Sequence, residues 1–191
     1  MCRRKSYAKI IKKAMPKDYK MERAERKIKE AVSLLSGFAG EKAQMRIGIR
    51  TEEGVFDGNG VPVEETFSNA FFGEYDIYLF VPDENVRKIQ RGIIAALDDV
   101  AQILGYRIPL CEPGYLPGKH CAYLIKDRGI LALGRSPKEA ETGVRVAQKA
   151  VALEIYGRAL GGTKRINRTM ASLEHLVYQK KYSRKEVQAD R

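Results

Sequence analysis

The chain has 191 residues, of which 44% are hydrophobic, and its 35 Lys and Arg against 24 Asp and Glu give a net charge of +11. A chain of this length and composition can bury a substantial core, which excludes a fold that depends on crosslinks. Its three cysteines are an odd number at no framework spacing, which indicates a reducing compartment, and no apolar run reaches the length of a membrane span.

The positive charge lies at the two ends of the chain. Residues 1–30 contain 12 basic and 4 acidic residues, a net charge of +8, and residues 163–191 contain 8 and 3, a net charge of +5. Such ends can attract a nucleic acid, an anionic membrane surface or an acidic partner. The alternative is a lysine-rich surface that only keeps the protein in solution, because no RNA-binding or helix-turn-helix pattern accompanies the charge. The N-terminus lacks the apolar block of a secretory signal, so a cytoplasmic location is expected.

Regular patterns begin after this basic start. An apolar stripe predicts a helix over about residues 19–35, and the alternating residues Met45, Ile47 and Ile49 predict a strand. Asp57-Gly58-Asn59-Gly60 is typical of a turn. A long helix is predicted from Glu84 to Leu104, ending at Gly105. Its stripe consists of Val86, Ile89, Ile93, Leu97, Val100 and Leu104.

The best-marked stretch runs from Gly129 to Gly162. Ile130 to Leu133 is short and apolar, as in a buried strand, and Asp127-Arg128-Gly129 links it to an earlier strand over residues 122–126. Ser136-Pro137-Lys138-Glu139 then supplies an N-cap hydroxyl, a proline at the first helical position and a capping-box glutamate. A helix is therefore predicted to begin at Pro137 and to end at Gly161-Gly162.

One more helix is predicted towards the end of the chain, near residues 168–182. Its apolar residues Leu173, Leu176 and Val177 are expected to point inward.

The same sequence resembles the class II aldolase/adducin family, which includes the fuculose-phosphate aldolases. The likeness is strongest in Gly129-Ile130-Leu131-Ala132-Leu133-Gly134 and the helix after it, and it includes Ile108-Pro109 and the loop Glu112-Pro113-Gly114-Tyr115-Leu116-Pro117-Gly118. Residues 76–81 are similar to the strand that leads into the family's metal site. Gly37-Phe38-Ala39-Gly40 resembles its phosphate loop, although Glu41 and Ala43 replace the polar residues that follow.

The resemblance implies an α/β fold, a three-layer α/β/α sandwich with a largely antiparallel central sheet. It implies an aldolase-like domain over residues 31–165, after a basic N-terminal extension with the start of the first helix (1–30) and before a basic C-terminal helix or tail (166–191). It also implies a homo-oligomer. A C-terminal tyrosine of a neighbouring subunit often donates a proton in this family, and Tyr178 and Tyr182 lie in the corresponding tail, although a packed or surface tyrosine is the alternative.

The departures from the family concern its metal. Active members hold a divalent cation on three histidines, two in an H-x-H pattern and one in an N-H-G turn. Here those positions read Pro82-Asp83-Glu84 and Asp127-Arg128-Gly129, and the whole chain contains only His120 and His175. One subunit therefore cannot form a three-histidine site, and no cofactor is expected. A site formed by Cys111, His120 and Cys121 is disfavoured, since adjacent strand residues point to opposite faces.

Several residues are candidates for a remaining function. Glu64 or Glu65 lies near the position of the family's proton-transfer glutamate, with a surface carboxylate as the alternative. Arg128 could hold a phosphate or carboxylate through its guanidinium fork, or could lie in a solvated hairpin turn. The glycines proposed to share an anion site with it are Gly37, Gly40, Gly58 and Gly60.

Two functions follow from these features. The first is a non-catalytic binding or assembly protein that recognises an anionic ligand or partner, either a phosphorylated or carboxylated small molecule or, through its basic ends, a nucleic acid or acidic partner. The second is a divergent sugar-phosphate aldolase or epimerase, a carbon–carbon lyase, that works without a metal or holds it on carboxylates such as Glu65, Asp83 and Glu84.

Overall fold

The structure is a computed structural model that describes residues 46–51, 54–57 and 75–189, together with the single positions Lys29 and Ser33. Lys29 and Ser33 are helical and exposed, in the segment where the sequence predicts the first helix. The remainder of that predicted helix lies outside the described residues.

A six-stranded sheet forms the centre of the fold. Its strands lie in the order β2-β1-β3-β8-β7-β6, and every neighbouring pair is antiparallel except β6 and β7, which are parallel. The prediction of a largely antiparallel sheet is therefore confirmed. The strands are β1 (Arg46–Thr51), β2 (Gly54–Asp57), β3 (Ile77–Pro82), β6 (Leu110–Cys111), β7 (Ala122–Ile125) and β8 (Gly129–Gly134).

The hairpin strands β7 and β8 form a large part of the buried core. All six residues of β8 and all four of β7 are buried, which fits strands covered on both faces and explains their continuous apolar sequence. The strand predicted over residues 76–81 is β3, and it pairs with β8 from Ile77 opposite Gly134 to Pro82 opposite Gly129. This register places the end of β3 beside the start of β8.

Helix α2 (Pro137–Ala159) packs against β8 and β3 and confirms the sequence prediction. Ser136 is the N-cap, and its Oγ accepts the backbone N–H of Glu139 at 3.2 Å. Ala140, Val144, Ala147 and Val151 recur at steps of three and four residues, and all four are buried. Gly161 and Gly162 follow the helix with φ values of 93° and 118°, the left-handed backbone that ends helices.

The long helix predicted from Glu84 to Leu104 is wrong. The segment instead forms a 3₁₀ helix (Glu84–Lys88), a short strand β4 (Ile93–Ile94) and a helix α1 (Asp98–Leu104). Five of the six stripe side chains are buried and Leu97 is partly buried, but Ile93 and Ile94 pair with β5 (Arg107–Ile108) in a separate two-stranded sheet. The helical spacing therefore predicts which side chains are buried. It does not predict the backbone conformation, which pairing with β5 determines.

Helix α3 (Arg168–Ala189) begins where the sequence predicts a helix, but its orientation contradicts the prediction. Leu173, Leu176 and Val177 are 54%, 50% and 57% exposed rather than inward. The helix packs against α1 through other residues, of which Ala171 is fully buried. Of the helices in the described part of the chain, none is long and apolar enough to span a membrane.

Candidate functional site

The β7–β8 turn lies against the end of β3. The carbonyl oxygen of Arg128 accepts the backbone N–H of Asp83 at 3.2 Å, and Arg128 N–H donates to the carbonyl oxygen of Ile125 at 3.0 Å to close the hairpin. Asp127 has a φ of 57°, a left-handed conformation that aspartate tolerates in turns. Arg128 is thus in the hairpin turn that the sequence predicts, and this turn is next to the Pro82-Asp83-Glu84 segment. The structure brings together the two segments in which the resemblance would place metal ligands.

The side chains at this end carry both signs of charge. Arg128 is exposed, and among the described residues none forms an ion pair with it. Lys126, two residues earlier, is paired with Glu112 at 2.7 Å, which raises the pKa of this lysine. Arg87 and Lys88 lie exposed in the 3₁₀ helix that follows β3. The guanidinium of Arg128 is therefore available to a ligand.

These residues do not fit a divalent metal. Asp83 is engaged as the N-cap of the 3₁₀ helix, since its Oδ1 accepts the backbone N–H of Asn85 at 2.9 Å. Arg128 would repel a cation at the position where the resemblance would place a histidine ligand. Within residues 46–51, 54–57 and 75–189, no group of three or more His, Cys, Asp or Glu side chains could hold a metal ion.

The two histidines lie elsewhere. The His120 ring packs edge-on against Tyr123 with centroids 5.8 Å apart, near the start of β7, and burial lowers its pKa. His175 is on α3, where its Nδ1 is 2.8 Å from the carbonyl oxygen of Gln102. Arg128 follows the opposite end of β7, so neither histidine is placed beside it.

Most of the other candidate residues are untested. The carboxylates Glu64 and Glu65 and the glycines Gly37, Gly40, Gly58 and Gly60 lie outside the described residues. Tyr178 is half-buried on α3, and the side chain of Tyr182 is outside the described part. These assignments stay predictions.

A second group of polar side chains, which the sequence did not indicate, lies at the other end of the sheet. The Cys121 Sγ is 2.9 Å from the Tyr75 hydroxyl and 3.7 Å from His175 Nε2, and Gln179 donates to the Tyr75 hydroxyl at 3.2 Å. The members are up to 104 positions apart in the chain, so no local motif predicts the group. It connects α3 to the sheet.

Burial decides the chemistry of this group. It raises the pKa of both the Tyr75 hydroxyl and the Cys121 thiol, so both remain protonated at neutral pH. A protonated thiol is a poor nucleophile and a poor metal ligand. The polar group around Cys121 therefore acts as a set of hydrogen bonds. The His120 ring contacts Tyr123 instead, so the two neighbouring side chains have different partners.

The buried thiols give a direct test. Burial raises the pKa of Cys111 to about 11. At pH 8 about one Cys111 thiol in a thousand is then ionised, and burial also raises the pKa of Cys121. We therefore expect iodoacetamide to modify neither thiol in the folded protein within hours. Both should react within minutes in concentrated guanidinium chloride. Peptide mass spectrometry distinguishes the sites. Rapid labelling of Cys121 in the folded protein would contradict its burial under α3.

Comparisons with known proteins identify the fold. No protein-family model and no curated protein matches the sequence. Among solved structures, an L-fuculose 1-phosphate aldolase superposes with a TM-score of 0.63 at 14% identity, covering 86% of this chain and 98% of that protein. YgbL of Klebsiella pneumoniae, a candidate aldolase/epimerase/decarboxylase, gives 0.58 at 15% identity over 77% and 94%.

A third structure leads to the same assignment. The L-fuculose-1-phosphate aldolase of Thermus thermophilus gives a TM-score of 0.56 at 12% identity, covering 75% of this chain and 97% of that protein. The chain thus spans nearly the whole length of each of these structures. Identities this low establish architecture and leave the chemistry to the residues present. The chain has the class II aldolase-like fold.

Proposed function

We propose that this chain is an aldolase-fold domain that binds an anionic ligand or partner and does not cleave sugar phosphates with a metal. The proposal rests on one observation at the end of β3. The turn that contacts Asp83 carries Arg128 at the position where the resemblance would place a histidine ligand. Metal-dependent aldol cleavage requires a cation that stabilises an enediolate. A guanidinium cannot hold that cation, but it recognises a carboxylate or phosphate through paired hydrogen bonds.

The position of Arg128 supports a binding role. Its backbone is held on both sides, by Asp83 and by Ile125, while its side chain is exposed. Because the backbone of the turn is already fixed, ligand binding has to order only the side chain of Arg128 and not the turn. The neighbouring 3₁₀ helix carries the exposed cations Arg87 and Lys88 but also exposed Glu84, and Asp127 is exposed in the turn, so the charge at this end of the sheet is mixed. A small phosphorylated or carboxylated molecule is the ligand class that the guanidinium fork of Arg128 favours.

The test uses the Arg128→Gln variant. We expect the wild-type protein to bind L-fuculose 1-phosphate or inorganic phosphate weakly and the variant to bind it at least about tenfold more weakly, because one charge-assisted hydrogen-bond pair is worth about 1.5–3 kcal/mol. Isothermal titration calorimetry measures both. Lys138→Gln is the matched control, since Lys138 is an exposed cation at the opposite end of β8. Its affinity should equal that of the wild type.

The same protein is assayed for cleavage of L-fuculose 1-phosphate with and without zinc or manganese. We expect no turnover above the buffer rate under either condition. Turnover that EDTA abolishes and added metal restores would show that the chain is a divergent aldolase and would overturn the binding proposal. Equal affinities of wild type and Arg128→Gln would remove Arg128 from the site.

A further inference from the structure

The outward side of α3 is apolar. Met170, Leu173, Leu176 and Val177 are 52%, 54%, 50% and 57% exposed, and we call these four side chains the outer face of α3. Met170, Leu173 and Val177 recur at steps of three and four residues, the spacing with which one helix packs along another. Scattered single apolar residues are normal on a protein surface, whereas a contiguous row on one helix face indicates an interaction site.

The inward side of α3 explains why this row stays exposed. Ala171 is fully buried against the body, His175 Nδ1 lies 2.8 Å from the Gln102 carbonyl oxygen, and Gln179 donates to the Tyr75 hydroxyl at 3.2 Å. Rotating the helix to bury its apolar row would break these hydrogen bonds to the Gln102 carbonyl oxygen and the Tyr75 hydroxyl. The fold therefore holds the outer face of α3 towards solvent.

The charges beside this face indicate what can cover it. Five charged residues of the segment 164–181 are exposed, and all five are cationic. The one acidic residue of that segment, Glu174, is half-buried, with its Oε2 enclosed by the protein. The five cations are Lys164, Arg165, Arg168, Lys180 and Lys181. The guanidinium of Arg168 lies 5.9 Å from the centroid of the Tyr106 ring, which packs against the core, so the other four cations are the ones left to flank the row.

This pattern argues against a second copy of the same helix as the partner. Antiparallel pairing of two α3 helices through this row would bring Lys180 and Lys181 of one copy towards Lys164 and Arg165 of the other. Parallel pairing would place each cation beside its equivalent. Like charges along a helix seam oppose association, while opposite charges set partner choice. A narrow row of aliphatic side chains, with no aromatic residue among the four, also fits a helix better than a membrane surface.

We propose that the outer face of α3 binds an amphipathic helix with acidic flanks, supplied by another protein. The proposal rests on the binding role inferred above and names the class of partner. The apolar row of the partner would pack on Leu173 and its neighbours, and its carboxylates would face Lys164 and Arg165 before the row and Lys180 and Lys181 after it.

The test uses synthetic helical peptides and fluorescence anisotropy with the full chain. The acidic peptide repeats leucine at heptad positions a and d over about three heptads with glutamate at e and g, where mutual repulsion keeps it from pairing with itself. The matched peptide has lysine in place of glutamate. We expect the wild type to bind the acidic peptide at least about tenfold more tightly than the lysine peptide.

Variants separate the apolar and charged contributions. Leu173→Ser with Val177→Ser should weaken binding of the acidic peptide at least about tenfold, because half-exposed side chains lose their packing in the complex. Lys180→Glu with Lys181→Glu should weaken the acidic peptide and strengthen the lysine peptide. Leu160→Ser is the control: Leu160 is 86% exposed but lies outside α3, so binding should not change. Circular dichroism and thermal unfolding confirm that each variant is folded.

Other outcomes would overturn the proposal. These are equal affinity for the two peptides, absence of binding, or a wild-type dimer in sedimentation that Leu173→Ser with Val177→Ser makes monomeric. Binding to phosphatidylcholine–phosphatidylserine vesicles that the same variant abolishes would assign the face to a membrane instead. Arg128→Gln should leave peptide binding unchanged, so failure at this face is distinguishable from failure at the Arg128 end.

Discussion

Replacing Glu139 with alanine is expected to lower the free energy of unfolding by about 3–5 kcal/mol, because it breaks a buried ion pair. The side chains of Arg135 and Glu139 are only 6% and 12% exposed. The guanidinium donates to both carboxylate oxygens, at 2.7 Å and 3.0 Å, and Glu139 Oε2 also accepts the backbone N–H of Arg135 at 2.7 Å. The substitution leaves a desolvated cation without its carboxylate. Urea denaturation followed by circular dichroism measures the loss.

The same helix supplies a matched control. Glu141 pairs with Arg145 at 2.8 Å in the same four-residue spacing, but the Arg145 side chain is 53% exposed. Glu141→Ala should therefore change the free energy of unfolding by no more than about 0.5 kcal/mol. Glu139→Gln, which keeps an acceptor but removes the charge, should fall between the two alanine variants. Equal losses for Glu139→Ala and Glu141→Ala would mean that burial does not distinguish the pairs.

The second large effect is expected at Gly129, opposite Pro82 in the β3–β8 pair. A Cβ atom at Gly129 would lie 2.8 Å from Pro82 Cα and 3.0 Å from Asp83 N, and closer still to the carbonyl oxygen of Val81. These are backbone atoms that cannot rotate away, so the two strands must separate. Gly129→Ala should cost about 3 kcal/mol of stability. It should also weaken ligand binding at Arg128, because the turn loses its position against β3.

Arg128→Ala, one residue earlier, is the control for this substitution. Arg128 is exposed, so its truncation should change stability by no more than about 0.5 kcal/mol while it abolishes ligand binding. Comparing the two variants therefore distinguishes the effect of displacing the turn from the effect of removing the guanidinium. A Gly129→Ala protein as stable as the wild type would show that β3 and β8 are not in close contact at this point.

Short sequence motifs predicted the structure correctly where neighbouring residues determine it. Ser136, Pro137 and Glu139 place the start of α2 at the correct residue, and Asp127-Arg128-Gly129 identifies the hairpin turn. The family resemblance assigned that turn and Asp83 to one ligand set but left open whether they meet in this chain, and the structure places them in contact. A resemblance of this kind aligns segments that are distant in sequence, which periodicity cannot do.

Two predictions were wrong because contacts between residues far apart in the sequence determine the structure there. The spacing of Val86, Ile89 and Ile93 is helical, yet the backbone is extended at Ile93 because β5, some fifteen residues later, offers a strand to pair with. On α3 the hydrophobic row was predicted to face the core, but His175 and Gln179 hold the polar side inward. Each polar side chain needed a partner far along the chain that the sequence does not reveal.

The parallel edge of the described sheet has a consequence for assembly. It ends in β6, which is only two residues long, and Pro113, which lacks an N–H, follows shortly after. A long, flat strand edge can recruit a strand from another molecule and start aggregation, and a short edge near proline is a common protection. We therefore expect no intermolecular β-strand addition along this border.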